Sequence, residues 1–274
     1  MLGQTPVTFT ANEPAVTAVA HPFTLGDALG FVVPYDPDLN PTAAPPNGLD
    51  TDTTYFARPL TTDTLSLHPT ATDAQDNTNA LTPTDAGSPG PVGFHLETLS
   101  VLERMQRQLR QDLITATGLD PANVQFVDDD GNEPDIPDPD NTPEAWIVLA
   151  FDETDYLNHR NSPPSEFPNA ANVGLVPVVI DCHLLVKPPG VRYLTWANRW
   201  NAVIKAALLT NPTRQEGGLD TVGGSNRDHL AQTAYLDGSH YQAENQSKSR
   251  SVGICGVSAT IEMRHLYADP FTRV

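Results

Sequence analysis

The chain has 274 residues, enough for two domains that each bury a core of their own. Acidic residues outnumber basic ones by 34 to 15, which gives a formal net charge of -19 at pH 7. This charge argues against a surface that grips nucleic acid, because such a surface neutralises phosphates with Lys and Arg. Charged residues make up only 18% of the chain while Pro (26) and Gly (18) are plentiful, a balance typical of a loop-rich protein dominated by β-strands.

The composition also bears on where the protein is made. The two cysteines, Cys182 and Cys255, are too few for a disulfide framework, and the N-terminus has no signal-peptide pattern. No run approaches the roughly 20 apolar residues that a membrane-spanning helix requires. We therefore expect synthesis in a reducing host cytoplasm and no membrane partner.

The first part of the chain, residues 1–93, reads as short strands separated by turns. Runs rich in Thr, Val and aromatic residues at 7–10, 53–57 and 64–67 favour strands, and no helical period appears. The segments 34–48 and 70–90 are polar and rich in turn residues, so they are predicted as loops. The pattern predicts a small all-β barrel or sandwich.

The second part, residues 94–274, combines helices and strands. Apolar residues spaced three and four apart predict an amphipathic helix over 96–118 and a second helix over 192–209. Apolar runs and alternating patterns predict strands at 124–127, 145–151, 175–187, 233–241 and 251–267. The prediction is an α+β domain with an antiparallel or mixed sheet and two helices on one face.

The order of these elements carries a resemblance. An amphipathic helix opens the second part, the strand pair at 146–151 and 176–186 follows, and a helix rich in Trp and Ala (196–208) precedes the closing strand 259–264, which runs into the sequence YADP. In this order, residues 94–274 resemble the tail terminator family of long-tailed phages, the minor tail proteins that close the top of the tail tube. Head-completion and neck proteins share the same small fold.

Residues 15–92 carry a second resemblance, made of several short pieces in order. The pieces are AHPFTLGD (20–27), GL (48–49), TTYFAR (53–58), DTLSLH (63–68) and LTPTDAG (81–87). They resemble a small β module that recurs in tail-tube, tail-fibre and other virion proteins of phages. The chain departs from the usual pattern through the prolines of its second loop, at positions 34, 37, 41, 45 and 46.

Together the two resemblances imply a structural virion protein and not an enzyme. A tail terminator is expected to close a ring, here a hexamer, on the last layer of the tail tube. The expected partners are further copies of the chain, the tail tube protein and the head-tail connector or stopper protein, while genome DNA passes through without specific binding. The expected location is the neck of the virion, with the N-terminal module decorating the outside, and no cofactor is expected.

Acidic side chains cluster between two predicted strands, in residues 128–141. Such oxygen ligands can hold a hard cation, but the EF-hand spacing fails because it would place Phe126 first and Pro137 twelfth. We predict a solvated loop without metal, and in a ring it is a candidate for a channel wall that repels DNA. Its acidic residues are Asp128, Asp129, Asp130, Glu133, Asp135, Asp138 and Asp140.

The second predicted helix carries the candidate subunit interface. Arg192, Arg199 and Lys205 lie on it, beside an apolar stripe that contains Trp196 and Trp200. A ring needs complementary sides, so the three cations are candidate contacts to the acidic face of a neighbouring subunit. Solvated surface charges are the alternative. The Trp pair is predicted as core because such stripes usually pack inward.

The sequence offers no catalytic motif. Cys182 and His183 are neighbours on a predicted strand, so they project to opposite faces and do not form a nucleophile and base pair. The glycine pairs at 217–218 and 223–224 lack the preceding strand, following helix and lysine of a phosphate loop.

Three other functions stay open at this point. A head-completion, neck or tail-tube protein would share the virion location but not the assembly step. A carbohydrate-binding module would need Tyr55, Phe56 and Phe94 to be exposed. A metal-dependent hydrolase would be built on the acidic loop.

Overall fold

A computed structural model describes residues 4–33, 44–90, 93–127, 144–151, 155–157, 171–185, 189–210, 233–243, 253–266 and 269–273. The strands are β1 (Thr5–Phe9), β2 (Ala15–Thr17), β3 (Ala28–Val32), β4 (Thr54–Pro59), β5 (Thr64–His68), β6 (Phe94–Thr98), β7 (Val124–Phe126), β8 (Ala145–Phe151), β9 (Asp155–Leu157), β10 (Ala171–Leu184), β11 (Thr233–Ala243), β12 (Gly253–Leu266) and β13 (Asp269–Arg273). The helices are α1 (Ala71–Asp76), α2 (Val101–Thr117) and α3 (Tyr193–Thr210). The chain divides into two compact units, one with strands β1–β6 and one with strands β7–β12, and the division falls within α2 after Arg107.

The first unit is a closed barrel of six antiparallel strands in the order β1-β2-β5-β4-β3-β6. Strand β6 closes it by pairing with β1 on one side and with β3 on the other. Alternate residues of each strand point inward. The rings of Phe9, Phe31 and Phe94 meet there with centroids 5.2, 5.5 and 5.9 Å apart. Of the barrel and sandwich that the sequence left open, the barrel is therefore correct.

Helix α2 begins at Val101, so the sequence prediction of a helix from residue 96 is wrong at its start. The first turn is closed by a capping box in which the Glu103 N–H donates to Ser100 Oγ at 3.2 Å and the Ser100 N–H donates to the Glu103 carboxylate at 2.7 Å. Phe94 and Leu96 belong to the barrel core instead. The apolar stripe of α2 follows these two residues without a break, so periodicity alone places the start of the helix too early.

A second difference lies on the outside of the barrel, where α1 occupies a segment predicted as loop. Ala74 of this helix packs against Phe56. The Arg58 guanidinium donates to the carbonyls of Ala74 and Gln75 at 2.7 and 2.9 Å. These are carbonyls of the last turn, which have no partner within a short helix. The helix is therefore stabilised by tertiary contacts that its own sequence does not display.

The second unit contains a mixed sheet of seven strands. Its main path is β11-β12-β10-β8-β7, with β9 pairing to β10 and β13 to β12. Strands β7 and β8 are parallel and the other pairs are antiparallel. The predicted strand 145–151 is confirmed. Its residues 145–149 are all buried, as expected for an inner strand covered on both faces.

Helix α3 covers one face of this sheet, along β10, β11 and β12. The buried alternate residues of β10 on that face are Val176, Val178, Ile180, Cys182 and Leu184. The predicted α+β class, with an antiparallel and a mixed sheet, is confirmed. Within the described part of the chain, no helix is both long enough and apolar enough to cross a membrane.

Candidate subunit interface

Helix α3 is anchored by the apolar stripe that the sequence predicts. Trp196, Ile204 and Leu208 are buried, and the Trp196 indole N–H donates to the Glu144 carboxylate at 2.8 Å. Trp200, which the sequence also predicts as core, is only half-buried. Because the helix is held in place by these contacts, its outward-facing side chains have a defined direction. A binding interface needs side chains that are positioned in this way on a rigid element.

The polar side chains of α3 divide into those that bind the sheet and those that face outward. The Tyr193 hydroxyl donates to the Gln242 carbonyl at 2.8 Å. Lys205 Nζ donates to Ser239 Oγ at 3.2 Å and is half-buried. Of the three predicted interface cations, Lys205 is thus turned toward its own strand β11.

Arg192 and Arg199 differ from Lys205 because both are exposed. Arg199 lies on α3, and Arg192 directly precedes its first residue, Tyr193. Among the side chains that the structure describes, they are the exposed cations of the protein. The other arginines whose side chains the structure describes are buried or half-buried within their own units: Arg58, Arg104, Arg107 and Arg110.

The sequence around α3 is unusual for this chain because it contains no carboxylate side chain. From Cys182 to Gln215 there is no Asp or Glu, in a protein with 34 of them. The same stretch carries five cationic residues, namely Lys187, Arg192, Arg199, Lys205 and Arg214. The sequence alone shows this local excess of positive charge, but motifs and periodicity do not reveal it.

Exposed apolar side chains accompany the two arginines. Leu194 and Leu209 are both exposed near the two ends of α3, and the alanines Ala202 and Ala206 are exposed between them. Successive residues of a helix are about 100° apart, so Ala202, Ala206 and Leu209 lie within about 80° of Arg199. We call the surface formed by these four residues, together with Arg192 just before the helix, the α3 face. Arginine combined with apolar area and little negative charge is the composition of a protein interface rather than of a solvated helix face.

The other predicted functional segment lies outside the described residues. This concerns the acidic loop with Asp128, Asp129, Asp130, Glu133, Asp135, Asp138 and Asp140. Its assignment to a channel wall stays a prediction.

The face of the sheet opposite α3 carries a pair of side chains that sequence reasoning missed. His240 Nε2 of β11 lies 2.7 Å from Asp181 Oδ1 of β10, and both residues are partly exposed. Their strands are not neighbours, because β12 runs between them. The two side chains meet above Gly256, which has no side chain to separate them. A glycine within a strand pattern is the signal that marks such a close approach.

The chemistry available to this pair is limited. Asp181 orients the His240 ring, as a carboxylate does for a general base or a metal ligand. Among the described residues, no group of three or more His, Cys, Asp and Glu side chains is placed to hold a metal ion. We therefore interpret the pair as a structural hydrogen bond that links the edge strand β11 to β10.

A serine and histidine pair in the barrel is also structural. The Ser66 hydroxyl lies 2.9 Å from His68 Nε2, and His68 Nδ1 lies 2.6 Å from the Thr78 carbonyl. Because a carbonyl only accepts, His68 Nδ1 carries a proton and donates it to Thr78. Both side chains are buried, so a substrate has no access to this hydroxyl.

The aromatic residues considered for sugar binding are not available for it. Tyr55, Phe56 and Phe94 are all buried. Tyr55 and Phe94 lie in the barrel core, and Phe56 packs under α1. The expectation of an exposed aromatic platform at these positions is wrong, because each of these side chains packs in the interior instead.

The two cysteines face the interior under α3. Cys182 of β10 lies directly opposite Cys255 of β12 in the register of the two strands, and both thiols are free and buried. His183 points to the other face, as the sequence predicts. Burial raises the pKa of the Cys182 thiol well above its ordinary value, and the neighbouring Cys255 thiol adds to this.

We expect both thiols to be inert in the folded protein, because the thiolate is the reactive form and burial suppresses it. The native chain should leave Ellman's reagent unreacted, whereas the urea-unfolded chain should release signal for two thiols. Rapid labelling of the native chain would contradict the buried placement of the pair.

Comparisons with known proteins do not identify a function for the α3 face, so it is interpreted from its geometry. No protein-family model matches the chain, and a search of curated proteins finds no match.

Proposed function

We propose that this chain is a structural subunit of a tailed-phage virion that assembles into a ring and acts as a tail terminator at the neck. The observation that carries the proposal is the α3 face, in which the two cations exposed among the described side chains, Arg192 and Arg199, lie in a stretch of sequence without Asp or Glu. A subunit of net charge -19 that also carries a cationic face is suited to head-to-tail contacts with copies of itself. Such contacts produce a ring when the rotation between copies closes.

The resemblance of the element order to that of tail terminators supports a position at the end of the tail tube. In this role, one side of the ring binds the last layer of the tail tube and removes the site at which the next tube ring would add. The opposite side offers a surface to the head connector or stopper protein, and the barrel lies at the outer side of the ring. The activity is mechanical and needs no cofactor. DNA passes through the ring without being bound.

The first experiment measures self-association of the full chain by light scattering after size exclusion. The wild type is expected to form a ring, a hexamer in this proposal. The double variant Arg192→Glu, Arg199→Glu should be monomeric, with an unchanged circular dichroism spectrum, because both positions are exposed. We expect each charge reversal to weaken association about tenfold or more, and the loss to resemble that of the wild type at high salt.

The matched control is the double variant Arg192→Lys, Arg199→Lys, which keeps the positive charge and should still assemble. A double Glu variant that assembles like the wild type would exclude the α3 face as the contact. A wild type that remains monomeric at all concentrations would exclude the ring.

The second experiment separates the terminator from the head-completion and tube alternatives. Lysates of the parent phage made without functional protein are imaged by electron microscopy. Tubes of uncontrolled length, detached from filled heads, are expected for a terminator. Tails of normal length beside heads that fail to join would move the protein to the head side of the neck, and normal infectious particles would reduce it to a dispensable decoration.

A further inference from the structure

Three large apolar side chains are exposed at one end of the barrel. Val19 is 71% exposed, Leu25 52% and Leu60 47%. Val19 and Leu25 lie between β2 and β3, and Leu60 lies in the turn between β4 and β5. We call residues 18–27 and 60–64 the barrel rim.

Hydrogen bonds hold the two segments of the rim together. The Ala18 N–H donates to the Asp63 carbonyl at 2.8 Å, and the Ala20 N–H donates to the Asp63 carboxylate at 2.9 Å. His21 Nε2 lies 3.1 Å from the Thr61 carbonyl. These bonds place Val19 and Leu60 at the same end of the barrel on loops with a fixed conformation.

The backbone of the rim is also strained at one position. Ala20 has a φ of 52°, in the left-handed region that a residue with a side chain seldom adopts. Such a conformation persists only where the surroundings enforce it, and it occurs often at binding surfaces. Its neighbour Val19 is the most exposed large apolar residue among those described.

The charge of the rim is opposite to that of the α3 face. Residues 18–27 and 60–64 include two carboxylates, Asp27 and Asp63, and no Lys or Arg. The α3 face carries Arg192 and Arg199 and, in the sequence around it, no carboxylate. Both surfaces add exposed apolar side chains to their charge, so they are complementary in both respects.

We infer that the barrel rim of one copy binds the α3 face of another copy, and that this is the head-to-tail contact of the ring. The inference rests on the proposed function, because it names the surface that the α3 face meets. Val19, Leu25 and Leu60 supply the apolar centre on one side, and Ala202, Ala206 and Leu209 supply it on the other. The contact uses a different surface on each partner, which is the heterologous arrangement that closes rings.

Cross-linking between copies tests the contact directly. The variant Leu60→Cys is mixed with the variant Leu209→Cys and treated with diamide, a disulfide-forming oxidant. The native cysteines are buried and do not interfere. We expect cross-linked dimers in this mixture and at least about tenfold fewer in the control mixture of Leu60→Cys with Tyr241→Cys, whose second position is equally exposed but outside the α3 face. Equal cross-linking in both mixtures would overturn the inference.

Association of single variants separates this inference from the proposed function. Leu60→Asp should weaken self-association about as strongly as the double Glu variant of α3, while Tyr241→Asp should leave it unchanged. If the double Glu variant is monomeric and Leu60→Asp still forms rings, the ring stands and the rim contact is wrong. A monomeric wild type removes both.

Discussion

Replacement of Gly256 by Ala is expected to destabilise the second unit by about 1–3 kcal/mol, the cost of overpacking a site that cannot yield. A Cβ at this position would lie 2.6 Å from the Ile180 carbonyl oxygen, from Asp181 Oδ1 and from the His240 ring. The two side chains can move away, which breaks their hydrogen bond. The Ile180 carbonyl belongs to the neighbouring strand β10 and moves only if the strands separate.

The matched control for this change is Gly238→Ala on the adjacent strand β11. A Cβ at position 238 would meet nothing within 4 Å, so this variant should be neutral or more stable by about 0.4–1 kcal/mol through the reduced freedom of the unfolded chain. Urea unfolding followed by Trp fluorescence measures both, because Trp146, Trp196 and Trp200 all lie in the second unit. Equal losses in the two variants would show that the pair over Gly256 is not the cause.

Raising the pH from 10 to 12 should remove about 2–3 kcal/mol of the stability of the barrel through Tyr55 alone. Burial raises the pKa of Tyr55 from 10.0 to about 12. The folded barrel therefore holds the phenol proton more tightly than the unfolded chain does. The contribution is present in full below pH 10 and is lost as the pH rises toward 12. Its structural basis is the burial of the hydroxyl, while the Asp50 N–H that donates to it at 2.6 Å lowers the pKa and offsets part of the rise. The hydroxyl also donates to the Asp50 carbonyl at 3.1 Å.

The variant Tyr55→Phe isolates this effect. It loses both hydrogen bonds to Asp50 and should be less stable near neutral pH by about 1 kcal/mol. It should also show a smaller decline in stability between pH 10 and 12. Urea unfolding followed by far-ultraviolet circular dichroism, at pH values on both sides of 10, measures the difference between the two chains. A decline of the same size in both would refute the assignment to Tyr55.

The elements that sequence patterns predict well are those stabilised by their own side chains. The apolar run of β8 and the apolar stripe of α3 are continuous in sequence, so periodicity finds them with little error. The start of α2 is harder to predict. Phe94 and Leu96 are apolar because they pack in the barrel core, whereas the apolar stripe of α2 is apolar because the helix packs through it. Only the Ser100 and Glu103 capping pair marks the border between them.

Features that depend on contacts distant in sequence are not visible in these patterns. Closure of the barrel requires β6 to pair with β1 and β3, and no local signal shows that pairing. Helix α1 depends on Arg58, which lies on β4. The meeting of His240 with Asp181 depends on the register of three strands.

The candidate interface was predictable in part. The residue types and the helix follow from sequence, and so does the charge contrast once the carboxylates are counted along the chain. The division between Arg199, which faces outward, and Lys205, which binds Ser239, depends on how α3 lies on the sheet. That orientation is set by packing, so the pattern alone assigns all three cations to the interface.

The strand pairing of the barrel makes it a unit that can be inserted into other proteins. Its first and last strands are neighbours, with Thr5 opposite Leu96, so the chain enters and leaves the barrel at adjacent points. A unit with this geometry can be spliced into a loop or joined to a terminus without requiring the recipient to bridge a gap. Because the closed barrel also has no free sheet edge, the transplanted unit does not offer its new host a site for unwanted strand pairing.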